Sequence, residues 1–236
     1  MSITGPGQDD GPVKVGAPVT DITAGILAAM GAAAAYAGKQ KTGLGTRVDT
    51  SLFEAGITHT YWQSAIALAT GQSPTALGSA HPLNAPYQAF PTADGYINIG
   101  AANQRNWLRL LDVIGAPELN EDPRFASNAD RMAHLEALVG VLNGYFRTQT
   151  SEVWLDLLDQ AGVPAGPILS IGEMLEHPQA IARDMVVETA HEHLGPVKGL
   201  GMAVKFHGTE TVESKPPPTH GQHSRDVLSE LGYSDN

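Results

Sequence analysis

The chain has 236 residues, enough to bury a sizeable core as one large domain or two small ones. With 42% apolar and 17% charged residues, its composition is globular and excludes a disordered chain. A formal charge of −11 argues against a nucleic-acid groove or an anionic membrane surface as main partner, and the lack of cysteine excludes disulfides, zinc–thiolate sites and a cysteine nucleophile.

The opening MSITGPGQDDGPVKVG has no basic region followed by an apolar core, so no signal peptide is read. It resembles an interior loop more than the start of a domain. From Asp21 to about Gly38 the residues are strong helix formers without proline, and Gly38, Lys39 and Lys41 suit a helix C-terminus. So little polarity on any side predicts a buried helix. Its most apolar run, Ile26 to Tyr36, is too short and too rich in Ala and Gly to cross a bilayer. An intracellular, cytoplasmic enzyme is the expectation.

KTGLGTRVDTSL then reads as a glycine turn and a strand over 47–51, giving the helix–turn–strand order of an α/β unit. A second helix is predicted over 52–70, ending at Gly71. GQSPTALGSAHPLNAPY is a Gly/Pro/Ser-rich linker with a domain boundary inside it. A hairpin follows, with strands at 87–91 and 96–101 around the Asp94-Gly95 turn. Helices are predicted over 103–114, 128–147 and 150–160, then a short strand and one further helix. MVVETAHEHLGPVKGLGMAVKF alternates like antiparallel strands around a Gly-rich turn, and PPPTHGQHSRDVLSELGY closes with a polyproline stretch and an amphipathic helix.

Asp21 is the most interesting acid. At a helix start, Asp21 or Thr20 can cap the free backbone N–H groups, a role worth about 1 kcal/mol. The same geometry stabilises an anion that could attack an activated acyl group, and the small residues around it leave room for substrate. Spacing alone does not choose between these readings. His191-Glu192-His193 would put two imidazoles on one side of a strand, but in a polar, solvated segment, so no metal site is assigned. His220 and His223 fit a helix start or the surface, whereas His81 in the linker could face a pocket. GLG at 43–45 lacks dinucleotide-binding spacing and reads as a tight turn. Lysines beside glycines in GPVKGLGMAVKF could touch a phosphate, but a hairpin explains them equally well. Trp62, Trp107 and Trp154 are expected in the core, and Asp49 and Glu54 at the surface.

Four blocks, taken in order, carry a resemblance. GAPVTDITAGILAAMGAAAAYAGKQKTGLGTRVDTSLFEAG, PLNAPYQAFPTADGYINIGAANQRNWLRLLDVIGAPELNEDPRFASNADRMAHLEAL, AGVPAGPILSIGEMLEHPQA and PPPTHGQHSRDVLSELGY together resemble the family III CoA-transferases, which include formyl-CoA transferase, carnitine CoA-transferase and alpha-methylacyl-CoA racemase. The resemblance implies that Asp21 is the catalytic nucleophile, passing through a mixed anhydride to an aspartyl-CoA thioester that an acceptor carboxylate then resolves. It implies coenzyme A and acyl-CoA as substrates rather than tightly bound cofactors, a carboxylic acid acceptor, and no metal. At the matched positions, Leu52 is implied to line the CoA channel.

The implied fold is α/β: part of a large α/β domain with an inserted small α+β domain, in subunits that interlock as a homodimer. Carried onto this chain, residues 1–55 belong to the large domain, 56–85 form a linker helix and loop, 86–185 the small domain, and 186–236 the return to the large domain. Relatives carry a further N-terminal half that supplies most CoA contacts, and GSAHPLNAPY stands where formyl-CoA transferase has a glycine-rich flap, which speaks against oxalate and formate. Two alternatives stay open: a racemase, in which Asp21 shuttles an α-proton, and a non-catalytic fragment or subunit that needs a separate N-terminal half and exposes apolar surface without it.

Overall fold

The computed structural model of the protein describes residues 2–7, 11–208 and 215–233, so Met1 and residues 8–10 of the opening loop lie outside it. Two units are resolved, Met1–Ile168 and Leu169–Asn236.

The first unit begins with three helices: α1 (Val19–Thr42), α2 (Leu52–His59) and α3 (Tyr61–Thr70). α1 is longer than its sequence suggests. Gly38 stays inside it, and the stop is Gly43, whose positive φ of 73° turns the chain while its N–H donates to the Lys39 carbonyl at 2.8 Å. Lys39 and Lys41 fall in the last turn, where the helix dipole favours cations. At 24 residues this helix is long and apolar enough, by length and composition only, to cross a membrane, which corrects the reading from its shorter apolar run. A core helix of a globular protein passes the same test.

Four further expectations for this region are overturned. The segment 47–51 forms no strand: among the described residues it has no pairing partner, and a strand exists only through its ladder. Its alternation instead sets Arg47 and Asp49 side by side, in an exposed ion pair at 2.6 Å that contributes little. The helix over 52–70 breaks at Thr60, where the backbone N–H and the hydroxyl both donate to the Ile57 carbonyl at 3.0 and 2.8 Å, tightening the turn and ending α2. Finally, no residue of α1 is buried: Ile26 is 61% and Met30 62% exposed, and Trp62 on α3 is 54% exposed instead of in the core.

The core of this unit lies downstream. Strands β1 (Tyr87–Pro91) and β2 (Tyr96–Gly100) form an antiparallel hairpin, and β3 (Ala165–Pro167) adds to the far edge of β2. Alternation sends Phe90, Ile97 and Ile99 to the buried face. Against it pack α4 (Gln104–Ile114), α6 (Leu135–Phe146) and α7 (Ser151–Gln160), with the short α5 (Asn128–Ala133) before α6. On α4 the buried positions are Trp107, Leu110, Leu111 and Ile114, the spacing of one helical face. The single helix expected over 128–147 is interrupted at His134, whose N–H and Nδ1 both lie against the Asp130 carbonyl at 3.0 and 2.9 Å.

Caps explain why these elements start where they do. Asn103 accepts from the Asn106 N–H at 2.9 Å, and Ser127 and Asp130 form a reciprocal capping box. Asp94, in the hairpin turn, accepts from the Ser151 N–H at 2.8 Å and so joins the hairpin to the start of α7. That bond, ahead of those from the Ser151 and Thr92 hydroxyls, holds the Asp94 carboxyl below the ordinary value.

The second unit holds α8 (Ile171–Glu176), α9 (Pro178–Ala182), the hairpin β4 (Val186–His191) and β5 (Gly195–Leu200), and α10 (Ser224–Glu230). Two short helices thus replace the one expected here, because His177 both ends α8 and caps α9, with its Nδ1 accepting from the Gln179 N–H. The hairpin turn is Glu192-His193-Leu194, so the glycines fall within and after β5 rather than in the turn.

Two stability predictions follow from this packing. Phe146 is fully buried between Phe90 and Trp154, with ring centroids at 5.1 and 5.3 Å. Phe146→Ala should lower unfolding free energy in urea by about 3–5 kcal/mol, whereas Leu68→Ala, at a position 88% exposed, should stay within about 0.5 kcal/mol. A Cβ added to Gly31 would fall 2.7 Å from Val48 Cγ1, so α1 approaches the 47–49 segment through a missing methyl. Gly31→Ala should therefore stabilise by about 0.5–1 kcal/mol only in a Val48→Ala background. In the native background, overpacking of about 1–3 kcal/mol outweighs that gain, and a double-mutant cycle by thermal melting reads the difference.

Candidate functional site

Asp21 is the third residue of α1, and the residue before the helix is Pro18, which has no side-chain group to offer a cap. Neither Thr20 nor Asp21 caps the helix. The Thr20 hydroxyl instead donates to Asp21 Oδ2 at 3.2 Å, and the carboxylate is exposed at the positive end of a 24-residue helix. Among the described residues, no lysine, arginine or histidine lies within ion-pair distance of it.

The surroundings of Asp21 are open and built from small groups. A Cβ added to Gly25, one turn further along α1, would meet nothing within 4 Å. α2 passes the first turn of α1 at Gly56, where an added Cβ would lie 3.5 Å from Thr20 Cγ2. Thr23 Oγ1 lies 2.7 Å from His59 Nε2, tying the start of α1 to the end of α2. Sequence reasoning named Thr20 only as a possible cap and did not single out Thr23, Gly56 or His59. Thr23 and His59 are 36 positions apart, and nothing local in the sequence pairs them.

Leu52 is the first residue of α2, directly after Ser51, which caps the helix by accepting from the Glu54 N–H at 3.2 Å. The leucine is half exposed. α1 and α2 pack on each other, but no described bond links Leu52 to Asp21. Glu54 accepts from the Ser51 hydroxyl at 2.7 Å, and Asp49 pairs with Arg47, so both acids serve local structure.

The histidines separate clearly. His193 belongs to the β4–β5 turn and not to a strand, and His191 Nδ1 accepts from the His193 and Leu194 N–H groups at 3.1 and 3.3 Å. That imidazole organises its own turn. His220 and His223 are exposed just before α10. His81 is half-buried, stacked on Tyr87 with ring centroids 5.1 Å apart and 5° between planes, and edge-on to Trp62 at 5.4 Å. No motif links these three rings. Trp107 and Trp154 are in the core as expected.

What the Asp21 site offers is an exposed carboxylate in the first turn of a long helix, with space before it. That is what covalent acyl chemistry needs, and it requires no proton to be taken from the nucleophile.

Comparison with known proteins bears on which chemistry this is. The model of CoA-transferase family III matches residues 1–224. The chain is 32% identical over 231 residues to the succinyl-CoA:glutarate CoA-transferase of Mus musculus, covering 98% of this chain and 53% of that protein. It is 36% identical over 211 residues to the acetyl-CoA:oxalate CoA-transferase of Acetobacter aceti, covering 88% and 52%. Among solved structures, a CaiB/BaiF family protein from Brucella suis superposes with a TM-score of 0.81 at 31% identity, over 98% of this chain and 60% of that one. The chain spans about half the length of the curated relatives it matches. A match running through nearly the whole chain, in sequence and in mixed α/β fold, decides the assignment: the chain belongs to CoA-transferase family III.

Proposed function

We propose that this chain carries the nucleophile of a CoA-transferase, and that Asp21 is that nucleophile. The observation that carries the reading is the exposed, uncapped carboxylate in the first turn of α1, within the region matched to the family. An Asp Oδ attacks the thioester carbonyl of the donor, the C–S bond breaks, and CoA thiolate leaves a mixed anhydride. The thiolate then attacks the aspartyl carbonyl and expels the donor acid, giving an aspartyl-CoA thioester. An acceptor carboxylate attacks that carbonyl in turn and releases the thiolate, which finally takes the acceptor's acyl group and restores Asp21. Every step exchanges one acyl leaving group for another, and no net proton moves. In the relatives' names the acceptors are glutarate and oxalate. We therefore infer a short dicarboxylic acid as acceptor, and Leu52 as part of the wall along which CoA lies. The oxalate-named relative supports keeping oxalate in that class, against the expectation drawn from the replaced flap.

The large apolar side chains exposed on α1–α3, among them Ile22, Ile26, Met30, Phe53, Tyr61 and Leu68, support a second element of the proposal. Further polypeptide covers that face in the working enzyme, supplied by a second copy of this chain or by an N-terminal half.

The test is intact-mass and peptide analysis after incubation with acyl-CoA. A CoA adduct should appear on the peptide containing Asp21 and be discharged by hydroxylamine, and Asp21→Asn should lose both adduct and transfer, by about a thousandfold or more. Transfer surviving in Asp21→Asn would refute the mechanism. Exchange of the substrate α-proton in deuterated water without any adduct would favour racemisation instead.

A further inference from the structure

The loop that carries His81 is fastened from several sides. The His81 N–H donates to the Tyr87 carbonyl at 2.9 Å, and Ser79 Oγ accepts from the Ala89 N–H at 3.1 Å, which bind the loop to β1. From α5, Asn128 accepts from the Ala85 N–H at 3.1 Å and donates to the Leu83 carbonyl at 2.9 Å. Arg131, fully buried, donates from Nε to the Ala85 carbonyl at 2.7 Å. A segment held this way presents its side chains in one arrangement.

Within that loop the His81 ring has a defined tautomer. The Leu83 backbone N–H, which can only donate, meets Nδ1 at 3.1 Å, with the Asn84 amide beside it at 3.4 Å. Nδ1 is therefore the acceptor, and the proton of the neutral ring sits on Nε2. Nε2–H has no hydrogen-bond partner among the described residues. Tyr87 covers one face of the ring and Trp62 abuts it. The ring is half-buried beside Tyr87 and Trp62 while its Nε2–H stays accessible, so on a fastened loop it is placed to give a hydrogen bond that its own fold does not use.

We propose that His81 is a specificity-determining residue that recognises a substrate carboxylate through Nε2–H, with Trp62 and Tyr87 flanking that bond. The proposal rests on the CoA-transferase reading for the identity of the ligand. A carboxylate on the acceptor acid and the distal carboxylate of a dicarboxylyl-CoA donor present the same chemistry, and both are probed.

The experiment uses the full chain and follows the His81 ring nitrogens by long-range ¹H–¹⁵N NMR. The titrants are glutarate, its uncharged diamide, glutaryl-CoA and butyryl-CoA. The expected result is a shift of Nε2, with Nδ1 held, by glutarate, by glutaryl-CoA, or by both, and by neither neutral counterpart. Which of the two acts identifies the source of the carboxylate. His81→Phe, which keeps the stacked ring, should weaken binding of the active titrant about tenfold or more, the scale of a hydrogen bond to a charged group. His81→Gln, which retains a terminal donor, should recover part of it. Binding that leaves Nε2 unmoved, equal binding by the diamide, or no binding by either carboxylate would overturn the proposal. Because binding is read without turnover, a failure of the aspartyl adduct at Asp21 would refute the transfer mechanism while leaving a carboxylate site at His81 standing.

Discussion

A buried guanidinium with no carboxylate in ion-pair distance among the described residues holds the first unit together. Arg131 is completely enclosed, and its Nε and Nη1 donate to the carbonyls of Ala85 and Phe125 and to Gln104 Oε1, while the cation lies 4.9 Å from the centre of the Trp107 ring. Burial lowers its pKa, and the Asp130 carboxylate works against that shift. Desolvating such a charge is expensive, so each backbone oxygen it meets must be where it is. One side chain thereby fixes three pieces of chain: the entry to β1, the end of the loop before α5, and the start of α4. The hydrophobic core between hairpin and helices closes around that arrangement, and the His81 loop inherits its rigidity from it.

The chain is thus uneven in how completely it satisfies itself. From Ala85 to Val163 one large cluster of apolar side chains is buried, with caps at the helix starts and glycines of positive φ at stops such as Gly115. In α1–α3 only Ala55 is buried, although the residues are as apolar. Exposed apolar surface of that extent is the basis of the proposal that further polypeptide covers these helices. The candidate nucleophile sits on this second kind of surface. On the proposed function, whatever covers these helices also borders the nucleophile.

The sequence was most legible where structure is decided locally. The hairpin around Asp94-Gly95 and the face of α4 follow from periods of two and 3.6 with recognisable turns and caps. It was least legible where the outcome depends on distant partners. The alternation over 47–51 is that of a strand, yet without a ladder it remains an extended connection. α1 and Trp62 have core composition, yet burial is a property of what packs on them. The breaks at Thr60 and His134 come from single side chains returning to a carbonyl three or four residues back, which propensity does not register. Asp21 was found because it stands at a helix start, and its meaning came from resemblance. His81 was noticed only as a linker histidine, because its ring tautomer depends on Leu83 folding back onto Nδ1.

Asp21 was ambiguous from the outset, since an acid at a helix mouth is ordinarily there to cap it. The geometry removes that explanation. The helix begins at Val19, so Asp21 sits inside the first turn, past the cap position, and its recorded partner is the neighbouring Thr20 hydroxyl. Its carboxylate therefore satisfies no orphan backbone group, while the end charge of the helix still favours an anion there. An acid that the fold does not consume, in the first turn of a long helix, with Gly25 opening the next turn and Gly56 admitting the neighbouring helix, is chemically free. That freedom is what the proposed nucleophile requires and a cap lacks, and it arises from two extra residues at the start of one helix.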